Sequence, residues 1–272
     1  MAENENKAEV FGTPEQCIIL ERDGNVAILT LRNPARRNAF TKDMRRTLTA
    51  KLFELQTDPT VRAIVLTGAE GHFCSGADVS KLGPMEMGPL DYRVWLLDTN
   101  TLLRTVADGV KPIICAIEGD CIGAGFSLAL LCDFMIVSKK ARLGAFFAKI
   151  GLLPDMGIMY TLQRRVGMAQ MRKMLMFAEP VSGEDGEKIG LADELVEPGQ
   201  ALAVAKQWAA GFDNVAPLVL GGIRVALRNG INSVDDAIRA EQDLQPYMSG
   251  SADLKEGMKA FFEKRKPQFI GR

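Results

Sequence analysis

Two glycine turns hold the residues best placed to do chemistry. Ser75-Gly76-Ala77-Asp78 ends the loop GAEGHFCSGAD, which follows the apolar run VRAIVLTG. Gly123-Ala124-Gly125 follows PIICAI, Pro112 to Ile117, and leads at once into a helix-like stretch with Ser127 three residues beyond Ala124. Small residues let a backbone come close to a ligand, and the first N–H groups of a helix attract negative charge. If the two preceding strands are neighbours, N–H groups from both turns converge on one oxygen. Such a pair stabilises a carbonyl oxygen as it becomes an oxyanion, and losing one donor costs about 3 kcal/mol. Either turn taken alone reads equally as a tight strand-to-helix connection. Dinucleotide binding competes poorly, because GAGFSL lacks the third glycine of that fingerprint.

Composition narrows the remaining classes. The chain has 272 residues, 47% apolar and 25% charged, enough for a full core and one or two domains. Thirty-three basic and 34 acidic residues leave a net charge of −1, so no electrostatic footprint for nucleic acid is present. Glu118, Asp120 and glycines interrupt the longest apolar stretch, which argues against a membrane span. The polar start MAENENKAEV is unlike a targeting peptide, so a cytoplasmic location is expected. Cys17, Cys74, Cys115, Cys121 and Cys132 lie mostly in apolar surroundings and read as reduced core thiols. With no CxxC pair and a single histidine, His72, a metal site is not expected.

The elements that must position these turns are legible in outline. CIILERDGNVAILTL reads as a hairpin about Asp23-Gly24, and Thr41 caps a helix with Met44, Leu48, Leu52 and Leu55 at helical spacing. GPMEMGP, residues 83–89, reads as a loop, followed by an amphipathic helix, LDYRVWLLDTNTLLRTVAD. SLALLCDFMIV runs from buried helix into strand, and GLADELVEP holds one more short strand. Beyond Pro198 the pattern is helical throughout. The expected organisation is an α/β core over 1–200 and a helical region over 201–272, with no repeat at a fixed period.

At this point the motifs NPARRNAF, VRAIVLTGAEGHFCSGADVSKL, KPIICAIEGDCIGAGFSLALLCDF, IGLLPDMG and EGMKAFFEKRKPQF resemble the crotonase, or enoyl-CoA hydratase/isomerase, family. The resemblance spans nearly the whole chain in order. It implies a spiral of repeated β-β-α units, a carboxy-terminal helical region for trimerisation, and an acyl-CoA thioester substrate. The two N–H groups that hold the thioester oxygen fall on Ala77 and Ala124. The negative charge they meet is that of an enolate, formed when the thioester loses its α-proton.

Hydratases of that family carry glutamates at the positions of Ser127 and Phe147, and both are absent here. The acid that remains is Asp155 of GLLPDMG, which by its sequence alone would cap a helix. The family resemblance makes it the base, as in isomerases such as the ring-epoxyphenylacetyl-CoA isomerase members. One carboxylate suffices to move a double bond from the 3,4 to the 2,3 position, or to open a ring epoxide through a similar enolate; the alternatives are a hydratase working with one carboxylate or a hydroxyl such as Ser127, and a non-catalytic CoA-ester binding homologue. Phe146, Phe147 and Met156 are expected to dry its pocket and raise its pKa.

The resemblance further assigns substrate contacts to Arg36, Arg37, Ala39, Ser127 and Phe147. Phe261 and Lys264 match positions that approach the CoA adenine from a neighbouring subunit. Tyr92 and Trp95 are expected to line the acyl pocket, and Asp78 and Asp133 to fix turns or caps. Glu118 and Asp120 read as solvated loop charges and His72 as a loop histidine. No separate cofactor is implied, since coenzyme A is part of the substrate. A homotrimer or a dimer of trimers is expected.

Overall fold

The structure is a computed structural model that describes residues 8–13, 15–78 and 88–272. Of the expected loop over 83–89, residues 83–87 fall outside the described residues.

The chain opens with β1 (Glu9–Gly12), β2 (Cys17–Asp23) and β3 (Val26–Arg32), an antiparallel meander. Its second turn uses Gly24 at φ 60°, as a two-residue hairpin loop requires. Helix α1 (Lys42–Thr57) starts at Thr41, whose hydroxyl accepts the Met44 N–H at 3.2 Å. Then follow β4 (Ala63–Gly68), α2 (Pro89–Ala107), β5 (Ile113–Ile117), β6 (Asp120–Ile122), α3 (Ala124–Ala129), β7 (Phe134–Ser138) and β8 (Arg142–Gly144). The last elements are α4 (Ile158–Phe177), β9 (Val181–Ser182), α5 (Gly183–Lys188), β10 (Glu194–Val196), α6 (Ala201–Gly211), α7 (Pro217–Asn229), α8 (Val234–Ser249) and α9 (Ala252–Phe262).

Among the described residues seven strands form one sheet in the order β1-β2-β3-β4-β5-β7-β10, parallel from β3 onward. A second sheet holds β6-β8-β9. Successive passes of the chain place one extended segment in each sheet: β5 then β6, β7 then β8. The pattern reaches back to β4, where Cys74 bridges Cys121, and to β3, where Phe40 bridges Ala77. This is the expected spiral of strand–strand–helix units. It has no fixed sequence period because loops and helices of unequal length separate the paired segments.

Both faces of the large sheet are apolar, as a covered parallel sheet demands. Leu29, Leu31, Ile64, Leu66, Cys115 and Val137 pack with Leu48, Leu52 and Leu102 of the α1–α2 layer. The alternate residues Ile28, Val65, Ile114, Ala116 and Ile136 face α6 through Ala201, Ala205 and Ala209. Alanines four apart give α6 a flat stripe that lies directly on the strands. The expected boundary at 200 thus falls just before a helix of the sheet layer, and the carboxy-terminal helices leave that layer only after Gly211.

Two side chains lock these layers. Glu118, expected as a solvated charge, instead accepts the Gly199 and Ala201 N–H groups at 2.9 and 3.2 Å and caps the start of α6. Asp133 accepts the Ile113 N–H at 2.7 Å and pairs with Arg224 of α7 at 2.9 Å. All five cysteines are free and buried. No single helix among the described residues is long and apolar enough to cross a membrane.

Candidate active site

The site begins at the ends of β4 and β5. These strands are parallel neighbours in register Leu66↔Cys115, so the segments that leave their carboxyl ends travel side by side. The Cys74–Asp78 segment is paired on both flanks. On one, the Phe40 N–H donates to the Gly76 carbonyl at 2.7 Å and the Asp78 N–H to the Phe40 carbonyl at 2.9 Å. On the other, Cys74 exchanges backbone bonds of 2.9 Å with Asp120 and Ile122 of β6.

That arrangement determines where the amides point. In an extended segment successive N–H groups alternate in direction. The Gly76 carbonyl and the Asp78 N–H are both spent on Phe40, and since the N–H of a trans peptide points away from its C=O, the N–H of Ala77 faces the opposite, β6–α3 side. Ala124 is the first residue of α3, where helix N–H groups have no partner within the helix. Among the described residues neither amide has a hydrogen-bond partner. The two turns touch: a Cβ built on Gly76 would stand 3.7 Å from the Ala124 nitrogen, and one on Gly123 3.9 Å from the Gly76 Cα. Glycine is required twice over here. Gly76 has φ 105°, and a Cβ on Gly125 would lie 2.6 Å from the Cys74 carbonyl oxygen.

Asp155 stands on the connection into α4. The N-cap position of that helix is Gly157, and no side chain caps it, so the capping role that the sequence offers Asp155 is not the one it has. Met156 and Gly157 both have left-handed φ, 54° and 72°. For Met156 that conformation costs about 1–3 kcal/mol, held by the surrounding packing. The bend lets Met156 bury itself in one apolar cluster with Phe126 and Phe147. Burial pushes the Asp155 carboxyl above the ordinary carboxylate value, against a smaller lowering by its own backbone N–H. Burial, and after it the negative charge of Asp155, pushes the Tyr92 phenol on α2 up from its ordinary value. Trp95 packs beside Tyr92 with ring centres 5.4 Å apart and lies under the Arg45 guanidinium at 5.7 Å.

Ser127 is placed differently from expectation. Its side chain is fully buried, 0% exposed, and its hydroxyl donates to the Asp155 carbonyl at 3.4 Å. It therefore ties the Asp155 backbone to α3. Phe147 is likewise core.

The expected substrate-binding residues divide. Ala39 is buried beside Phe40, its carbonyl accepting from the Asn33 side chain at 2.9 Å, so it shapes the loop that holds Ala77. Arg36 is exposed. Arg37, expected to reach CoA phosphates, ion-pairs with Asp120 at 2.7 Å. Asp120 itself is a correction: at 4% exposure it is a buried charge, with Arg142 on its other oxygen at 3.1 Å. The His72 Nδ1 accepts the Asp120 N–H at 3.0 Å, so this loop histidine has a structural bond. Phe261 is 79% exposed, edge-on to Phe262 at 5.8 Å, and Lys264 follows the end of α9, so all three face solvent in the single chain. The backbone of Phe40 is the site element that residue types alone do not reveal, since its role is carried by main-chain atoms. Among the described residues no cluster of His, Cys, Asp or Glu is placed to hold a metal.

Chemically, two unpartnered amides, with a half-buried carboxyl group on a loop tied to the same helix through Ser127, suit removal of a proton next to a carbonyl. Comparisons with known proteins give the family. A sequence profile described as Enoyl-CoA hydratase/isomerase matches residues 21–272. A short-chain-enoyl-CoA hydratase of Clostridium acetobutylicum is 32% identical over 92% of this chain and 95% of its own. A 1,2-epoxyphenylacetyl-CoA isomerase of Escherichia coli (strain K12) is 33% identical over 94% of this chain and 98% of its own. The crystal structure of an enoyl-CoA hydratase from Polaromonas sp. JS666 superposes with a TM-score of 0.87 at 29% identity, covering 93% of this chain and 99% of that one.

Proposed function

Because the chain belongs to the enoyl-CoA hydratase/isomerase family, we propose that it is an isomerase with Asp155 as its single base. The substrate is an acyl-CoA thioester held by the Ala77 and Ala124 amides. The Asp155 carboxylate takes a proton from C2 of a 3-enoyl thioester, and the electron pair moves onto the thioester oxygen. The same carboxyl group returns the proton to C4, leaving the double bond between C2 and C3. Rearrangement of a ring epoxide through a related enolate is the alternative substrate within this reading.

One observation carries the proposal: Asp155 is a half-buried carboxyl that caps no helix, while the positions of both hydratase glutamates hold core residues, Ser127 and Phe147. Relatives of nearly equal identity bear hydratase and isomerase names. The distinction therefore rests on these side chains. A hydratase adds water with a pair of acids; here neither position of that pair is acidic, and Asp155 is the one acid the resemblance leaves.

The test is a panel of linear 3-enoyl, 2-enoyl and aromatic-epoxide CoA esters, with products identified by mass spectrometry. Migration without water addition supports the isomerase; a mass gain of one water on the 2-enoyl ester would replace it with the hydratase reading. The proposal includes assembly as a homotrimer or dimer of trimers. The exposed stripe of Val219, Ile223 and Leu227 along α7 and the exposed Phe261 support it, and light scattering measures it. The buried free cysteines support a reducing, cytoplasmic setting.

A further inference from the structure

Asp120 is a buried carboxylate outside the reacting space, and its bonds converge on the two segments that bear the amides. Its side chain pairs with Arg37 at 2.7 Å and Arg142 at 3.1 Å. Its N–H reaches His72 at 3.0 Å, and its carbonyl accepts the Cys74 N–H at 2.9 Å. Four residues after Asp120 comes Ala124. Three residues after Arg37 comes Phe40, whose backbone brackets Ala77. The Arg37 carbonyl accepts the Ser75 N–H at 3.0 Å, and the Arg36 carbonyl the Ser75 hydroxyl at 2.7 Å. The ion pair therefore joins the loop that aims one amide to the strand that delivers the other.

Backbone conformation shows why a tie is needed there. Arg37 and Asn38 have φ of 47° and 60°, left-handed values that strain residues with a Cβ. Asn38 is held by donating to the Ala69 and His72 carbonyls at 2.8 and 2.7 Å. Among the described residues the Arg37 side chain has no such backbone anchor; its partly exposed guanidinium is held by the Asp120 carboxylate.

We infer that Arg37 and Asp120 are positioning residues that set the separation of the Ala77 and Ala124 amides, and that Arg37 serves the enolate rather than the CoA phosphates. The inference rests on the proposed role of those amides. Amide geometry matters most where charge is greatest, in the transition state, so loss of the tie shows in kcat more than in KM.

The test compares the full-length wild type with Arg37→Gln, Asp120→Asn, Arg37→Lys and Arg142→Gln. Arg142 touches the same carboxylate from β8, which bears neither amide. Thermal unfolding checks that each variant is folded. The inference expects Arg37→Gln to lower kcat by about tenfold or more, with KM and the Kd for free CoA changed by less than about twofold. Arg37→Lys is expected to recover part of the loss, and Arg142→Gln to lose distinctly less than Arg37→Gln. Infrared spectra of a thioester labelled with carbon-13 at its carbonyl give a second readout. The bound carbonyl stretch lies below its solution frequency in wild type and moves back toward it in Arg37→Gln. Unchanged kcat and stretch in Arg37→Gln overturn the inference, as does weakened CoA affinity with an unchanged stretch, or an equal loss in Arg142→Gln. Absence of any downward shift in wild type would instead remove the role of the amides themselves, so the two failures are separable.

Discussion

The hydroxyl of Ser127 donates to the backbone carbonyl of Asp155 across 3.4 Å, joining helix α3, which begins at Ala124, to the loop that carries the proposed base. The distance is at the long end for a hydroxyl bond, so its strength is modest. Its value is geometric: it sets the carboxylate's backbone against the start of α3, where the second amide lies. Four consequences of this arrangement are measurable.

Asp155→Asn keeps the shape of the side chain and removes the base. The expected result is a fall in kcat of about 10²–10⁴-fold, the range of general-base catalysis, with acyl-CoA binding retained. Steady-state rates on a 3-enoyl-CoA and calorimetric titration with its saturated analogue check this. Full activity in the variant would remove Asp155 from the mechanism.

The raised pKa of Asp155 has two signs that must be kept apart. For activity, the base works ionised, so kcat/KM falls at low pH with a midpoint above the ordinary value of 3.8. For stability, the folded state binds the proton more tightly than the unfolded state. The carboxyl group therefore weakens the fold increasingly as pH rises from 3.8 through its folded pKa, and the cost is complete above that value. Asp155→Asn is thus expected to raise the unfolding midpoint at pH 7 and to leave it little changed at pH 3, which calorimetry at the two pH values measures.

Ser127→Ala is expected to fold, to lose about 1 kcal/mol of stability, and to reduce kcat several-fold, about what a loosened base costs, with KM unaltered. Ser127→Glu, which restores a hydratase residue, buries a second carboxyl beside Asp155 at a fully enclosed position. Loss of stability without gain of hydration is the expected outcome, read from unfolding curves and from the absorbance of a 2-enoyl-CoA.

Gly125→Ala places a methyl 2.6 Å from the Cys74 carbonyl oxygen and 2.6 Å from its Cβ. Backbone on one side and a buried thiol on the other leave little room to yield. Overpacking of this kind costs about 1–3 kcal/mol. It also pushes apart the two turns whose amides must converge, so activity is expected to fall further than stability accounts for. Parallel measurement of kcat and denaturant midpoint decides the matter.

Much of the architecture was readable because local chemistry agrees with the fold. The Asp23-Gly24 hairpin, the Thr41 cap and the apolar runs that became β4, β5 and β7 each satisfy a short-range rule that the tertiary structure keeps. The short strands β6, β8 and β9 were not readable, since two or three residues carry no periodicity and pair only with partners that packing brings to them.

By itself the sequence determined which groups are available: glycines where two strands end, alanine amides after them, an aspartate at 155, and no acid at 127 or 147. Those are matters of residue type, and residue type is what a sequence states. Tertiary structure alone decided orientation and partnership. It turned the Ala77 amide toward α3 by committing its neighbours to Phe40, released Asp155 from capping by giving that place to Gly157, and drew Asp120 and Glu118 from expected solvent into buried or capping bonds. The physical reason is that hydrogen bonds and ion pairs between segments far apart in the chain outrank the local preference of any one of them.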